Sequence, residues 1–258
     1  MEYADIAILI IPLIAAFVAG FVDSIAGGGG LIQLPALFFT FPQMPLQTTI
    51  GTNKFPNFLG TIIAAIQYNK LTTIYKKNLL AALLLCFTGA LLGTYFLQKA
   101  NAAIFKPVLF VVLIIIAITI YFKKEFGLKK ISVTPLMQKI YLPLTFAVGF
   151  YDGLIGPGTG IFLILICVYC CGHDLLQASA TAKTLNLSSN FASILLFVFH
   201  NQITWKIAIP MTACNIAGAY WGSKMSVLRG NKFIRQILFL VIVLVIARFG
   251  YDVFKSYF

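Results

Sequence analysis

Ten apolar segments follow one another along this chain and restrict its fold more than any other feature. They lie near residues 5–24, 31–41, 46–68, 78–97, 103–122, 138–155, 158–171, 176–199, 203–223 and 233–254. Most reach the roughly 20 residues that a helix needs to cross ~30 Å of hydrocarbon. Since the bilayer core offers no water to backbone polar groups, spanning segments must be helices or closed barrels. The pattern predicts an all-α, polytopic membrane protein.

Two of these segments, 31–41 and 158–171, are too short to cross a bilayer as helices. Each follows a run of glycines, so we expect half-helices or re-entrant pieces. The expected architecture is about eight transmembrane helices plus two short broken elements.

The composition excludes most other classes of protein. Of 258 residues, 60% are hydrophobic and 10% are charged, whereas a soluble domain carries about 25% charged residues. The net charge of +12 comes from Lys and Arg that cluster between the apolar segments, as in cytoplasmic loops of membrane proteins. No nucleic-acid-binding pattern is present. Five cysteines in apolar surroundings and two histidines give no metal or redox motif, so neither a metal nor another cofactor is expected.

A glycine-rich motif with one aspartate occurs twice, at positions 129 residues apart. The two copies are Gly20-Phe21-Val22-Asp23-Ser24-Ile25-Ala26-Gly27-Gly28-Gly29-Gly30 and Gly149-Phe150-Tyr151-Asp152-Gly153-Leu154-Ile155-Gly156-Pro157-Gly158-Thr159-Gly160. An ionisable group and a broken helix are both costly in hydrocarbon, so their repeated pairing indicates a binding site. Paired interruptions of this kind are typical of secondary transporters.

The motif belongs to a longer internal repeat. We predict a first transmembrane repeat at 1–122, a basic cytoplasmic linker at 123–137 and a second repeat at 138–258. The distribution of Lys and Arg does not separate a parallel from an inverted arrangement. We favour inversion because it is common among transporters with broken helices.

The glycine runs free backbone amides that can converge on an anion. The expected contacts of the anion in these runs are Gly28, Gly29, Gly30, Gly158, Thr159 and Gly160. The alternative is that these glycines only permit a kink and close packing.

Asp23 and Asp152 are expected to support coupling or structure rather than to bind the anion, which a carboxylate would repel. Proton coupling, acceptance of hydrogen bonds from the broken backbone and a salt bridge to lysine all remain open. A solvated position near the membrane surface is the alternative.

Lys54 and Lys183 indicate a negatively charged substrate. Each lies two residues after a threonine and three residues before an asparagine, and each is expected to start an apolar helix. The helix macrodipole disfavours a cation there, so a compensating anion is expected, supplied by the opposite aspartate or by the substrate. Snorkelling to the interface is the alternative. Lys183 is the stronger candidate because its helix carries more polar residues.

Polar neighbours of the lysines complete the predicted substrate site. They can coordinate an oxyanion or hold helices together, and the sequence leaves both open. They are Asn53, Asn57, Asn186, Ser189 and Asn190.

No catalytic motif is present, so we do not expect an enzyme and predict no catalytic residue. An intramembrane aspartyl enzyme using Asp23 and Asp152 is a less favoured alternative, and an anion channel is another.

Several motifs together make the chain resemble the sulfite exporter TauE/SafE family, also called the toluene sulfonate uptake permease family. The motifs are Gly20 to Leu31, Pro35-Ala36-Leu37, Thr52-Asn53-Lys54, Gly149 to Gly153 and Ala182 to Asn190. The resemblance covers nearly the whole chain and is greatest to uncharacterised inner-membrane permeases of proteobacteria. It implies a multi-pass carrier of the bacterial plasma membrane for sulfite, sulfonates or similar small anions, commonly an exporter and proton-linked. The expected partners are an anionic substrate and the lipid bilayer, with a monomer or homodimer as the assembly.

Overall fold

The computed structural model describes residues 3–72, 74, 77–99, 127–128, 130 and 132–257, without the side chains of 3–7, 71, 241–242 and 244–257. This part of the chain contains eight helices and no strand. They are α1 (Tyr3–Ala26), α2 (Gly30–Thr40), α3 (Leu46–Leu71), α4 (Leu79–Leu97), α5 (Pro135–Leu154), α6 (Thr159–Cys171), α7 (Leu175–Phe199) and α8 (Trp205–Tyr257). The predicted segment 103–122 and residues 123–126, 129 and 131 of the predicted linker lie outside the described residues.

Helix lengths confirm an all-helical, polytopic membrane protein. Among the described residues, three stretches are long and apolar enough to cross a bilayer: Ile8–Ala26, Leu79–Leu97 and Leu175–Phe199. By contrast, α2 has 11 residues and α6 has 13, so at about 1.5 Å per residue neither reaches across the hydrocarbon core. These are the two short elements that the sequence predicted. Helix α8 is interrupted at Gly230 (φ 69°, ψ −161°), between the predicted segments 203–223 and 233–254.

Local sequence signals explain several helix ends. Thr134 caps α5 by accepting a hydrogen bond from the Met137 N–H, and proline occupies the first helical position. The Asp174 carboxylate caps α7 by accepting a hydrogen bond of 3.0 Å from the Gln177 N–H. The first cap fixes where α5 begins, and the second fixes where α7 begins.

The same packing contact occurs twice, each time between the two halves of the chain. A Cβ added at Gly20 of α1 would overlap the backbone carbonyl of Asn215 of α8, and one added at Gly149 of α5 would overlap that of Cys86 of α4. Gly149 lies 129 positions after Gly20, and Cys86 lies 129 positions before Asn215. The first helix of each predicted repeat therefore packs against a helix of the other. The boundaries 1–122, 123–137 and 138–258, and the orientation of the repeats in the membrane, stay predictions.

Helix α6 lies at the centre of the main apolar core. Ile161, Leu163 and Ile164 are fully buried there, among side chains from α1, α4, α5 and α7. Because this core holds α6 firmly, the residues at its N-terminus occupy a fixed position inside the protein.

Candidate functional site

The two helix breaks predicted from the glycine runs meet inside the protein. The backbone leaves the helix at residues 27–29 and again at 155–158, and Gly30, Thr159 and Gly160 are the first residues of the helices that follow. A Cβ added at Gly27 would lie 2.6 Å from the Cα of Gly160, which is too close for two carbon atoms that are not bonded. The two breaks can approach each other this closely only because neither residue has a side chain. The close approach of the breaks is therefore confirmed, while their depth in the membrane stays a prediction.

Asp23 holds the first break and also joins the two halves of the chain. Its Oδ1 accepts hydrogen bonds of 3.1 Å from the N–H groups of both Gly28 and Gly29. Its Oδ2 lies 2.6 Å from the Nζ of Lys183 in α7. Two of the roles left open by the sequence, support of the broken backbone and a salt bridge to lysine, thus occur at one carboxylate.

Asp152 forms the reciprocal ion pair. Its Oδ2 lies 2.8 Å from the Nζ of Lys54 in α3, and both side chains are less than 5% exposed. Its Oδ1 accepts a hydrogen bond of 2.8 Å from the Thr159 hydroxyl. Lys54 also donates a hydrogen bond of 3.2 Å to Oδ1 of Asn190. Each lysine is thus neutralised by the aspartate of the opposite half.

The expectation that both lysines start a helix is wrong. Helix α3 begins at Leu46 and α7 at Leu175, so Lys54 and Lys183 each occupy the ninth helical position. The macrodipole acts mainly within the first turn of a helix. It is therefore not the reason why these two ammonium groups need a compensating anion. Burial is what requires their compensation by an anion, because a charge without a partner in the interior is very costly. Lys54 is 3% exposed and Lys183 is 1% exposed, which also excludes snorkelling to the interface.

A small cavity, with about 30 Å³ of free volume, lies where the breaks and α3 and α7 come together. It is lined by Asp23, Gly28, Gly30, Ile50, Asn53, Lys54, Asn57, Asp152, Ile155, Gly156, Pro157, Gly158, Thr159, Gly160, Asn186 and Asn190. The structure therefore brings most of the predicted substrate residues to one place. Lys183, Gly29 and Ser189 do not line it, although Lys183 and Gly29 contact Asp23 directly behind its wall. Lys54, rather than Lys183, is the lysine that faces the cavity.

The polar residues of α7 divide into two groups. Asn186 and Asn190 line the cavity, and the Asn190 amide donates to Oδ1 of Asn186 at 3.3 Å. Ser189 donates to the backbone oxygen of Asn186 within α7. Ser193 instead lies 3.0 Å from the Thr94 hydroxyl of α4. Ser193 therefore helps to hold α7 against α4, whereas coordination of an anion by Asn186 and Asn190 stays a prediction.

Two buried amides near the cavity were missed from the sequence. The Asn215 amide of α8 donates hydrogen bonds of 3.0 Å to Gln33 of α2 and to Asn57 of α3. A signal existed, since Gln33 and Asn215 each interrupt an apolar segment. Their network supports Asn57 in the cavity wall. The Oδ1 of Asn53 accepts no hydrogen bond within the described residues, so a polar side chain of the wall still has capacity for a partner.

Within the ranges that the structure describes, no three His, Cys, Asp or Glu side chains are placed so that they could hold a metal ion. That no cofactor is needed stays a prediction.

Comparison with known proteins assigns the chain to a family. The profile of the sulfite exporter TauE/SafE family matches residues 12–249. A probable membrane transporter protein of Haemophilus influenzae is 36% identical over 245 residues, covering 95% of each chain. The probable membrane transporter protein YfcA of Escherichia coli K12 is 32% identical over 242 residues, covering 92% of this chain and 87% of the relative. No solved structure matches the chain.

The family profile spans both glycine breaks, both ion pairs and the cavity between them. The chain is a membrane transporter protein that belongs to the sulfite exporter TauE/SafE family.

Proposed function

We propose that this protein is a proton-linked secondary transporter that exports small anions, such as sulfite or organosulfonates, across the bacterial inner membrane. The observation that carries the proposal is the meeting of Lys54 with the starts of α2 and α6 in one cavity. The first N–H groups of a helix have no intrahelical acceptor, and the helix dipole makes this end positive. Several N–H groups at these ends already have acceptors in the protein: those of Gly28 and Gly29 bind Asp23, and those of Leu31 and Thr159 bind carbonyl oxygens. The charge of Lys54 and the positive ends of the two helices together favour an anion in the cavity.

The chemistry of the cavity suits a compact oxyanion head group. A sulfite or sulfonate group presents three oxygens, which can accept hydrogen bonds from several directions at once. Lys54 can provide a charge-assisted hydrogen bond, and the amides of Asn186 and Asn190 lie on the same wall. The family description, sulfite exporter, supports this substrate class and the direction of transport.

Three observations favour a carrier over a channel or an enzyme. The cavity lies between the two halves of the chain, where relative movement of the halves would open it alternately to each side. Both lysine–aspartate pairs cross this boundary, so movement can be coupled to their rearrangement. An aspartyl dyad needs two carboxylates that share a proton, whereas Asp23 and Asp152 are each paired with a lysine.

Flux measurements in proteoliposomes test the proposal. We expect the purified protein to move sulfite, methanesulfonate or p-toluenesulfonate, with rates that respond to an imposed pH gradient. Lys54→Met should abolish the flux, whereas Lys70→Met, an exposed change on the same helix, should preserve it. Flux that ignores the pH gradient would indicate a channel, and chemical conversion of an anion without flux would indicate an enzyme.

A further inference from the structure

We propose that Asp152 takes up one proton when an anion binds to Lys54, whereas Asp23 stays ionised and clamps the first break. This inference rests on the proposed function, because it names the group that would link a proton to the anion in the same cavity. It follows from a difference between the two ion pairs: Thr159 contacts Asp152, whereas the equivalent position of the first motif is Gly30.

Asp23 is surrounded by groups that can only donate. Its carboxylate receives the N–H groups of Gly28 and Gly29 at 3.1 Å and the Lys183 ammonium at 2.6 Å. Backbone N–H groups and ammonium groups have no acceptor capacity. A proton on Asp23 would therefore have to displace one of these donors.

Asp152 has a partner that can both donate and accept. The Thr159 hydroxyl lies 2.8 Å from Oδ1 of Asp152 and 2.6 Å from the carbonyl oxygen of Gly156. A hydroxyl has one hydrogen, so it cannot serve both acceptors when Asp152 is ionised. When Asp152 is protonated, its O–H donates to Thr159 and Thr159 donates to Gly156. This arrangement leaves every hydrogen with an acceptor, so the site accommodates the added proton.

The charges around the cavity give the reason for proton uptake. Lys54 and Asp152 together are neutral, and both are buried. An added anion would leave one uncompensated negative charge in surroundings of low polarity, which is strongly unfavourable. Transfer of a proton from water to the Asp152 carboxylate forms the neutral acid and leaves the Lys54 ammonium to pair with the anion. The net charge of the site then stays at zero.

No other cation in the described part of the chain forms an ion pair with Asp152. The neutral groups beside it are the amide of Asn190 on α7 and the hydroxyl of Thr159 on α6. Asp23 of α1 lines the same cavity, and its charge is already matched by Lys183. Two further titratable groups lie near enough to interact with the Asp152 charge, the Cys86 thiol of α4 and the neighbouring Tyr151 hydroxyl.

Joint binding determines how transport depends on gradients. A monoanion and a proton that move together carry no net charge, so the membrane voltage does not drive them. At equilibrium, a pH difference of one unit across the membrane then balances a concentration ratio of the anion of about tenfold. The anion is more concentrated on the alkaline side. Export would then require that the anion accumulate inside beyond this ratio.

Proton counting during anion binding tests the inference with the full chain in detergent. Methanesulfonate and p-toluenesulfonate are suitable probes, because both stay ionised in water and contribute no proton change of their own. We expect one proton taken up from a weakly buffered solution per anion bound. The affinity should fall about tenfold per pH unit once Asp152 in the free protein is ionised.

Matched variants assign the proton to one carboxylate. Asp152→Asn should bind the probes without proton uptake and with little dependence on pH. Lys70→Met, a change at an exposed residue, should retain the proton uptake. The wild-type protein gives a readout that does not depend on the folding of either variant, since anion binding should produce the infrared band of a protonated carboxylic acid.

The possible outcomes separate the two proposals. Binding by the wild-type protein without proton uptake and without the acid band would overturn the inference and leave the proposed function standing, as would uptake that persists in Asp152→Asn. If the wild-type protein neither binds nor transports the sulfonates or sulfite, the proposed function itself fails.

Discussion

The substitution Lys183→Met should destabilise the protein strongly, because it breaks a buried ion pair outside the cavity. Lys183 and Asp23 have side chains that are 1% and 16% exposed, and their charged atoms are 2.6 Å apart. Removal of one partner from a buried pair costs about 3–5 kcal/mol. We expect the lower end of this range, since Asp23 keeps two amide donors. For a protein of this size, ~3 kcal/mol corresponds to a fall in Tm of roughly 6–12 °C.

Thermal unfolding in detergent checks this prediction, with Lys70→Met as the matched control. Lys70 is exposed on α3, so its replacement should change stability by no more than about 0.5 kcal/mol. The double variant Lys183→Met with Asp23→Asn removes both charges and should recover part of the loss. Equal melting temperatures for Lys183→Met and Lys70→Met would refute the reasoning, and so would a double variant no more stable than Lys183→Met.

Two further changes separate packing from anion binding. Gly160→Ala would place a Cβ 2.7 Å from the Cα of Gly27. This overpacking should cost about 1–3 kcal/mol of stability and weaken sulfonate binding, both measured on the purified variant. Unchanged stability and affinity would show that the contact between the breaks is not needed. Ser193→Ala removes the hydroxyl that accepts a 3.0 Å hydrogen bond from Thr94. The change should cost about 1 kcal/mol of stability, measured by thermal unfolding, while sulfonate affinity stays the same. A large loss of affinity would place Ser193 in the binding site.

Much of the fold could be predicted from the sequence because its signals are local. The length of each apolar run sets whether a helix can span the bilayer, and this rule gave both the long helices and the short α2 and α6. Consecutive glycines likewise marked the two breaks. Such signals depend only on neighbouring residues, so no knowledge of tertiary contacts was needed.

The geometry of the site could not be predicted in the same way. Lys54 and Lys183 have the same local pattern, yet only Lys54 lines the cavity. The difference arises from contacts between distant segments, such as the bond from Lys54 to Asn190. The helix starts were predicted wrongly for a related reason. The polar residues before each lysine belong to the helix because neighbouring helices bury them. Tertiary packing here outweighs weak intrinsic helix propensities.

Equilibrium binding of p-toluenesulfonate and methanesulfonate to the Lys54→Met variant tests whether Lys54 holds the anion in the cavity. The account predicts that this variant, once shown to fold by its thermal unfolding, loses well over tenfold in affinity, or more than ~1.4 kcal/mol. Lys70→Met should bind like the wild-type protein. A folded Lys54→Met protein that binds both sulfonates with wild-type affinity would contradict the account and place the anion site outside this cavity.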